Sequence, residues 1–285
     1  MEPKISVIMV GRNDSYGGDF ITRMQVCLDS LFKGCKNESL PIEIVVTEWD
    51  YESEASLKDV LLFNRINEFC RVRFFRVSKT LCDKLYPQDR PFLDHIARNV
   101  AIRRASAPFI LSTNPDIVFS RELLKFLSEV NLSYDCYYRA VRCDINDIAD
   151  ISKGKFTAIH QYYGKMTKCI SKVGDLFTNA CGDFFLMAKK HWFTIKGHPE
   201  FSTRGHFDSY VCCMAASLGL EQIILPHPEL VIYHLNHSRS LRNTSLESFW
   251  RNCDRMLKNG KLTVYNDENW GLNNYSLEET VVEIN

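Results

Sequence analysis

The sequence has 285 residues, with 35 basic and 35 acidic side chains and a formal net charge of zero. This length gives ample core for one large domain or two small ones. The balanced charge argues against nucleic acid as a partner, although local groups can still bind a phosphate-bearing ligand. No apolar run reaches the roughly 18 residues of a transmembrane helix.

The cysteine pattern bears on metal binding and on the cellular compartment. Eleven cysteines are scattered singly, apart from the neighbours Cys212 and Cys213, and no C-x-x-C spacing occurs. Structural zinc needs ligands paired at close spacing, so we expect none. The first residues lack the basic segment and long apolar core of a signal peptide. With the unpaired thiols, this predicts a reducing, cytoplasmic location.

The first part of the chain alternates between two kinds of pattern. Apolar or alternating runs predict strands at 4–10, 42–50, 71–78 and 109–113. Helical spacing of apolar residues predicts helices at 20–35, 59–69 and 93–106. This alternation over about 120 residues predicts a parallel sheet with helices on both faces.

Polar loops follow three of the predicted strands, at 11–14, 47–50 and 112–116. In parallel α/β sheets, ligands bind beyond the carboxyl ends of the strands. We therefore expect a ligand site at this edge, with Asp116 among its groups. The alternative is a purely structural turn, because Asn-Pro-Asp is also a good turn sequence.

The second part of the chain changes character. Its patterns predict helices at 121–130, 207–219 and 246–257 and extended segments at 136–145 and 222–240. Ser120 is placed to cap the first of these helices. The span from 146 to about 178 has weak periodicity and many Lys, Gly and Ser residues, so we predict a mobile excursion there.

Several motifs, in their order along residues 4–240, resemble the GT-A glycosyltransferases near the family-2-like inverting enzymes. A first strand ends in the polar loop of SVIMVGRND, and a second strand ends in the acidic residues of VVTEWD. The helix in ARNVAIRRASAPFIL leads into a strand that ends in a short acid motif. A Gly-Asp pair, a carboxylate at a helix start and distal histidines follow. RND, EW, TNPDI, TNACGDF, PEF and IYHxxH are especially similar to motifs of bacterial and viral members. The resemblance rests on the combination, since each motif alone is weak.

The resemblance implies an α/β protein of the GT-A fold, with a Rossmann-like, mostly parallel central sheet, helices on both faces and a mixed acceptor-side second half. It implies one domain over 1–285, in which 1–120 bind the nucleotide sugar, 121–240 carry acceptor and catalytic groups, and 241–285 form an extension. The expected reaction is inverting, metal-assisted transfer of a sugar, from a UDP-linked donor, to a glycan or glycoconjugate hydroxyl. The excursion after 146 is then expected to contact the acceptor.

The expected cofactor is Mn²⁺ or Mg²⁺ bridging the donor diphosphate, with Asp116 as a ligand. Related enzymes supply a late histidine, for which we favour His234, with His237 next. Strand geometry puts positions three apart on opposite faces, so one of them is expected to reach the site more readily than the other. The alternatives are satisfied loop histidines, or diphosphate contacts from His237 or Arg239. Asn114 replaces the first acid of the family's Asp-x-Asp and is assigned to the ribose or a metal-bound water.

By position in the family pattern, Asp208 is the expected general base, just before a predicted helix. Its alternative role is the N-cap of that helix. Asp183, in the Gly-Asp pair, is the second catalytic candidate and is expected to hold the acceptor or the donor sugar. Glu200 is a weaker third candidate for the base.

The nucleotide is expected to contact the loops at the strand ends. Base and ribose contacts are assigned to Gly11, Arg12, Asn13 and Asp14; the uracil or ribose edge to Glu48 and Asp50; the diphosphate or ribose to Arg98 and Asn99. For each residue the alternative is a packing bond or a surface charge. Trp49 and Trp192 are expected in the core rather than stacked on a sugar.

Two other functions stay open at this point. A sugar nucleotidyltransferase would share the fold but carry a Gly-rich, basic loop after the first strand, and 11–19 is short of Lys and Gly for this. An inactive nucleotide-sugar-binding relative would bind the donor without turnover, and Asn114 is its best support.

Overall fold

The computed structural model describes residues 1–52, 55–87, 92–155, 157–158, 176–201, 207–238 and 247–284. Its strands are β1 (Ile5–Gly11), β2 (Ile42–Tyr51), β3 (Cys70–Ser78), β4 (Phe109–Ser112), β5 (Ile117–Phe119), β6 (Cys136–Arg139), β7 (Val141–Ile145), β8 (Thr157–Ala158), β9 (Phe185–Ala188), β10 (Glu221–Ile224), β11 (Val231–Leu235) and β12 (Glu278–Val282). Its helices are α1 (Phe20–Asn37), α2 (Leu57–Val60), α3 (Lys79–Leu85), α4 (Asp94–Arg104), α5 (Arg121–Glu129), α6 (Ala149–Ser152), α7 (Lys189–Thr194), α8 (Phe207–Ser217) and α9 (Glu247–Asn259).

The larger sheet has eight strands in the order β10-β6-β9-β4-β1-β2-β3-β12. The strands β4, β1, β2 and β3 run parallel to one another, and β10 is parallel to β6. The strand β9 is antiparallel to β4 and β6, and β12 is antiparallel to β3. The sheet is therefore mostly parallel at its centre and mixed on the side formed by the second half of the chain.

Helices cover both faces of this sheet, because alternate residues of the central strand β1 pack into different cores. Ile5, Val7 and Met9 join a buried cluster that includes the apolar face of α1. Ile8 and Val10 join a second cluster that includes α4. A strand covered on both faces is a continuous apolar run, as the sequence of β1 is. The predicted fold class is confirmed.

A second sheet of four strands, in the order β5-β11-β7-β8, brings distant parts of the chain together at the site. The strand β11 is antiparallel to β5 and parallel to β7. In this register His234 lies opposite both Ile117 and Asp144. His234, late in the chain, is thereby brought to the loop that follows β4.

Three predicted elements are wrong. The helix predicted at 59–69 is only the short α2, because the Asn67 side chain donates to the Phe32 carbonyl (2.8 Å) and accepts from the Phe69 backbone (3.1 Å). Such side-chain bonds compete with helix formation. The strand predicted at 136–145 is two strands, β6 and β7, that lie in different sheets. The extended segment 222–240 is likewise two strands, β10 and β11.

The end of the chain packs onto the first half. The strand β12, which the polar sequence did not predict, pairs with β3, and Trp270 and Leu272 are buried in the cluster that contains α4. The predicted division at 120 and 240 stays a prediction. Most of the excursion expected at 146–178 lies outside the described residues. Within the described part of the chain, none of the helices combines the length and apolar character of a membrane-spanning segment.

Candidate active site

A cavity of about 690 Å³ lies at the carboxyl edge of the parallel strands, as the polar loops predicted. Gly11 ends β1, Asp116 follows β4, His234 lies near the end of β11, and Asp208 lies in the first turn of α8. The predicted site residues that line the cavity are Gly11, Arg12, Asp14, Arg98, Asn114, Asp116, Asp183, Asp208, His234 and His237.

Asp116, His234 and His237 form a compact group of potential metal ligands. One ligand atom from each lies within 4.8 Å of the others. The Asp116 Oδ2 atom is 3.3 Å from His237 Nε2 and 3.8 Å from His234 Nε2. The other oxygen, Oδ1, is buried and has no hydrogen-bond partner among the described residues.

The hydrogen bonds of the two histidines fix which ring nitrogen faces Asp116. His234 Nδ1 is 2.9 Å from Asp144 Oδ1, and His237 Nδ1 is 2.9 Å from the Ser238 carbonyl oxygen. Both partners are acceptors, so each Nδ1 carries the proton and each neutral ring presents the Nε2 lone pair to Asp116. Two lone pairs facing a carboxylate repel unless a cation or added protons lie between them. A second bond that orients the ring in this way is typical of metal-binding histidines.

The same geometry keeps Asp116 ionised. Burial raises the pKa of Asp116, but the hydrogen bond with His237 and the electrostatic interactions with His234, His237 and Arg23 outweigh burial and hold the pKa below its usual value. Two imidazoles and a carboxylate fit a divalent transition metal. The residues present therefore fit the cation that the resemblance implies.

Both histidines lie beside Asp116, although strand alternation favoured one over the other. The strand β11 ends at Leu235, so His237 lies beyond the strand and the alternation of side chains no longer applies. The loop before α1 closes over His237. Gly17 has a φ of +65°, and a Cβ atom there would lie 2.4 Å from His237 Nδ1. Arg23 holds this loop by donating to the carbonyl of Tyr16 at 2.7 Å.

Asp183 is held between an amide and a guanidinium. Asn114 Nδ2 donates to Asp183 Oδ1, and Arg142 Nη1 donates to Asp183 Oδ2 at 2.6 Å. Asn114 Oδ1 in turn accepts from Arg98 Nη2. Arg142 Nε also lies 3.1 Å from Asp144 Oδ1, so a continuous polar chain connects Asp183 with His234.

Asp208 lies in a different environment. Its Oδ2 atom accepts from the Gly182 backbone N–H and its Oδ1 atom from the Ser209 N–H, both at 2.9 Å. Within the described ranges, no Lys, Arg or His nitrogen lies within 4.0 Å of this carboxylate. The helix α8 begins at Phe207, so Asp208 belongs to its first turn and is not its N-cap. Each oxygen keeps a lone pair that can accept a hydroxyl proton.

Four of the predicted nucleotide ligands are not among the residues that line the cavity. Glu48 is buried, accepts from the Leu57 backbone N–H and pairs with Arg76. Asn99 exchanges hydrogen bonds with the His198 backbone, both at 2.7 Å. These four residues are Asn13, Glu48, Asp50 and Asn99.

Asn13 and Asp50, the other two predicted nucleotide ligands outside the cavity lining, bond to other parts of the strand-end loops. Asn13 donates to the Ala55 carbonyl, and Asp50 pairs with Arg12 at 2.8 Å. Glu200, the third candidate for the base, does not line the cavity either and accepts from the Gly271 N–H. Arg239 lies outside the described residues.

Several charged residues at the site were not predicted from the sequence. Arg23, Arg142 and Asp144 connect the metal-ligand group to its surroundings. The signal for the latter two was present, because polar residues two apart in the apolar strand β7 share one face. Trp49 and Trp192 are buried, which confirms their assignment to the core.

No protein-family model matches the sequence, and no curated protein matches it. Among solved structures, TarS 1-349 of S. aureus in complex with UDP-GlcNAc has 17% sequence identity and a TM-score of 0.58, over 94% of this chain and 69% of that chain. The mannosyltransferase PcManGT of Pyrobaculum calidifontis, in complex with GDP-Man and Mn²⁺, has 14% identity and a TM-score of 0.48. That likeness covers 82% of this chain and 57% of the mannosyltransferase, so this chain spans little more than half of its length.

At such identities the likeness concerns the fold alone. The likeness to TarS covers 94% of this chain. The mostly parallel central sheet with helices on both faces agrees with that likeness in fold. The chain has the GT-A fold of glycosyltransferases.

Proposed function

We propose that this protein is a glycosyltransferase that moves a sugar from a nucleotide sugar to a hydroxyl group of a glycan or glycoconjugate. The observation that carries the proposal is the group of Asp116, His234 and His237, which shares one cavity with the carboxylate of Asp208. The GT-A fold supports it, since the cavity lies at the sheet edge where such folds bind ligands.

The proposed cofactor is a divalent cation, held by Asp116, His234 and His237. When bound, such a cation offsets the negative charge of a departing diphosphate. Imidazole nitrogen suits Mn²⁺ better than Mg²⁺, which prefers oxygen ligands and water. Asp144 and the Ser238 carbonyl fix the ring orientations through the Nδ1 atoms. A single carboxylate is then sufficient, and Asn114 does not argue against a metal.

Asp208 is proposed to take the proton from the acceptor hydroxyl. Among the described residues its oxygens accept from backbone N–H groups alone, which leaves lone pairs free for a hydroxyl. Asp183 is proposed to hold the reacting groups in place, because Asn114 and Arg142 already occupy both of its oxygens. A single base on one side of the sugar suits in-line attack with inversion.

The donor is proposed to be UDP-linked, because TarS of similar fold was solved with UDP-GlcNAc. Gly11, Arg12 and Asp14 line the cavity from the first strand-end loop and are proposed to contact the nucleoside. Arg98 and Asn114 line it beside the acid motif and are proposed to lie near the diphosphate or ribose.

The test of this function is release of the nucleotide from a panel of UDP- and GDP-sugars in the presence of Mn²⁺. We expect Asp208→Asn to lower kcat by about 100-fold or more while leaving donor affinity unchanged, as loss of a general base does. Asp135→Asn, at an exposed site, is the matched control and should leave kcat unchanged. Equal loss of kcat in both variants, or none in either, would contradict the role of Asp208. Tight donor binding without any turnover would indicate the inactive relative instead.

A further inference from the structure

Arg139 is a fully buried cation that lies behind the active-site loop. It ends β6, is 0% exposed, and donates to the carbonyl oxygens of Phe184 (2.7 Å), Phe177 (2.6 Å) and Asn179 (2.9 Å). No carboxylate of the described residues lies within 4.0 Å of its guanidinium. A buried charge is costly unless an anion compensates it, so a counter-ion is expected nearby.

The groups that can supply this anion are two thiols. Arg139 Nη1 lies 2.8 Å from Cys181 Sγ and 3.3 Å from Cys212 Sγ, and the two sulfur atoms are 3.0 Å apart. Burial raises the pKa of Cys212, but the hydrogen bond from Cys181 and the charge of Arg139 outweigh it and lower the pKa. Burial and the hydrogen bond to Cys212 raise the pKa of Cys181. Of the two thiols, Cys212 is therefore the one that ionises more readily, and its thiolate would accept a hydrogen bond from the Cys181 thiol.

We propose that Cys181 and Cys212 are a redox modification site, at which hydrogen peroxide converts the pair to a disulfide. The Cys212 thiolate attacks one peroxide oxygen; the O–O bond breaks, and a proton completes the leaving water, which gives a sulfenic acid. Cys181 sulfur then attacks the Cys212 sulfur, an S–S bond forms, and the hydroxyl leaves with the thiol proton as a second water. The peroxide is reduced and the two cysteines are oxidised.

The position of the pair couples this modification to the active site. Cys181 directly precedes Gly182, whose N–H binds Asp208, and Cys212 lies one helical turn after Asp208 in α8. A disulfide needs the sulfur atoms about 1 Å closer than they are, at about 2.05 Å. Oxidation therefore draws the 176–184 loop against α8 and removes the anion beside Arg139.

The same helix contains a matched control. Cys213, the next residue, is also buried, but it faces Cys253 of α9 and has no guanidinium beside it. The hydrogen bond to Cys253 and burial raise the pKa of Cys213 well above its usual value. The pair of Cys213 and Cys253 should therefore react much more slowly, since the thiolate is the reactive form.

The experiment treats the folded full chain with millimolar hydrogen peroxide, removes the peroxide, alkylates the remaining thiols after denaturation, and maps them by peptide mass spectrometry. We expect a peptide pair joined through Cys181 and Cys212 and lacking two hydrogen atoms, formed about tenfold or more faster than any oxidation of Cys213. Cys181→Ser should stop at a sulfenic acid on Cys212 that a cyclic diketone traps. Cys213→Ser should behave as the unmodified chain.

Persistence of both thiols after other cysteines have been oxidised, or equal oxidation of Cys212 and Cys213, would overturn the proposal. None of these readouts depends on sugar transfer. The expected effect on turnover, a loss of about tenfold or more that dithiothreitol reverses, rests on the proposed function. Disulfide formation in a chain that shows no turnover would support the redox site and count against the glycosyltransferase.

Discussion

Asn114 shows how one side chain can serve two partners of opposite kind. Its carbonyl oxygen accepts from Arg98, and its amide nitrogen donates to Asp183. An arginine only donates and an ionised carboxylate only accepts, so a residue between them must do both. An amide meets this requirement and an aspartate does not. The amide at position 114 therefore suits the local bonding around Asp183.

We predict that Asn114→Asp destabilises the protein by about 1–3 kcal/mol, because the new carboxylate cannot donate to Asp183 and the two acids face each other. Urea denaturation monitored by circular dichroism measures the change in the free energy of unfolding. Asn131→Asp, at an exposed site, makes the same chemical change and should cost almost nothing. If Asn114→Asp proved as stable as the unmodified chain, the bridging role of the amide would be wrong.

The sequence predicted the positions of some site residues better than those of others. Asp116 and His237 reach one site, as the motif IYHxxH suggested. Glu48 and Asn99 were assigned to the nucleotide, but they are buried and bond to the backbone of neighbouring segments. A buried polar residue has the same sequence signature in both roles, because only the tertiary structure decides whether a ligand or the backbone is its partner.

The loop between β1 and α1 is the element that shapes the metal-ligand group from outside. Tyr16 packs edge-on against the His237 ring, with 5.3 Å between centroids, and Gly17 leaves no room for a Cβ atom beside that ring. Gly18, the next residue, also has a positive φ, of +98°, but a Cβ atom there meets nothing within 4 Å. Alanine substitutions at the two glycines therefore distinguish the effect of backbone strain from the effect of contact with His237.

We predict that Gly17→Ala weakens Mn²⁺-dependent binding of UDP by about tenfold or more, because the added methyl group displaces His237. Gly18→Ala carries a similar conformational cost of about 1 kcal/mol, which affects stability rather than binding. Titration calorimetry of UDP in the presence of Mn²⁺ measures the affinity of each variant, and thermal unfolding measures the stability of each. An equal loss of affinity in the two variants would show that strain, and not the contact with His237, is responsible.

Elements were predictable in the first half of the chain and much less so in the second. The strands β1, β2 and β3 have seven to ten residues, long enough to show a period. The strands β6 and β7 have only four and five residues and join different sheets, so their sequence looks like one strand. The edge strand β12 is polar because Glu278 and Glu279 pair with Arg76 and Arg73 of β3, which hides its strand pattern.

At the scale of the whole molecule, one buried histidine should make folding sensitive to acid. His198 is 3% exposed, and among the described residues neither ring nitrogen makes a hydrogen bond of normal geometry, although the Phe207 backbone lies near the ring. Burial, with the charges of Arg98 and His95, lowers the pKa of His198 to about 3. The unfolded chain, with a histidine pKa of about 6.5, therefore binds a proton that the folded chain does not.

We predict that stability falls as the pH is lowered from about 6.5 towards 3, because protonation of His198 favours the unfolded chain in this window. His198→Leu should flatten this part of the curve, measured as the free energy of unfolding against pH. His191→Gln, at a histidine that bonds the Tyr134 carbonyl, is the control and should keep the slope. An unchanged slope in His198→Leu would contradict the assignment.

The central claim is that Asp116 anchors a divalent cation beneath the diphosphate of a nucleotide-sugar donor. The most direct measurement is titration calorimetry of UDP into the purified protein with Mn²⁺, with a chelator, and with the variant Asp116→Ala. The account predicts binding that requires both Mn²⁺ and Asp116, with affinity lowered by about 100-fold or more when either is removed. UDP affinity that is the same with and without metal, and the same in Asp116→Ala, would contradict it.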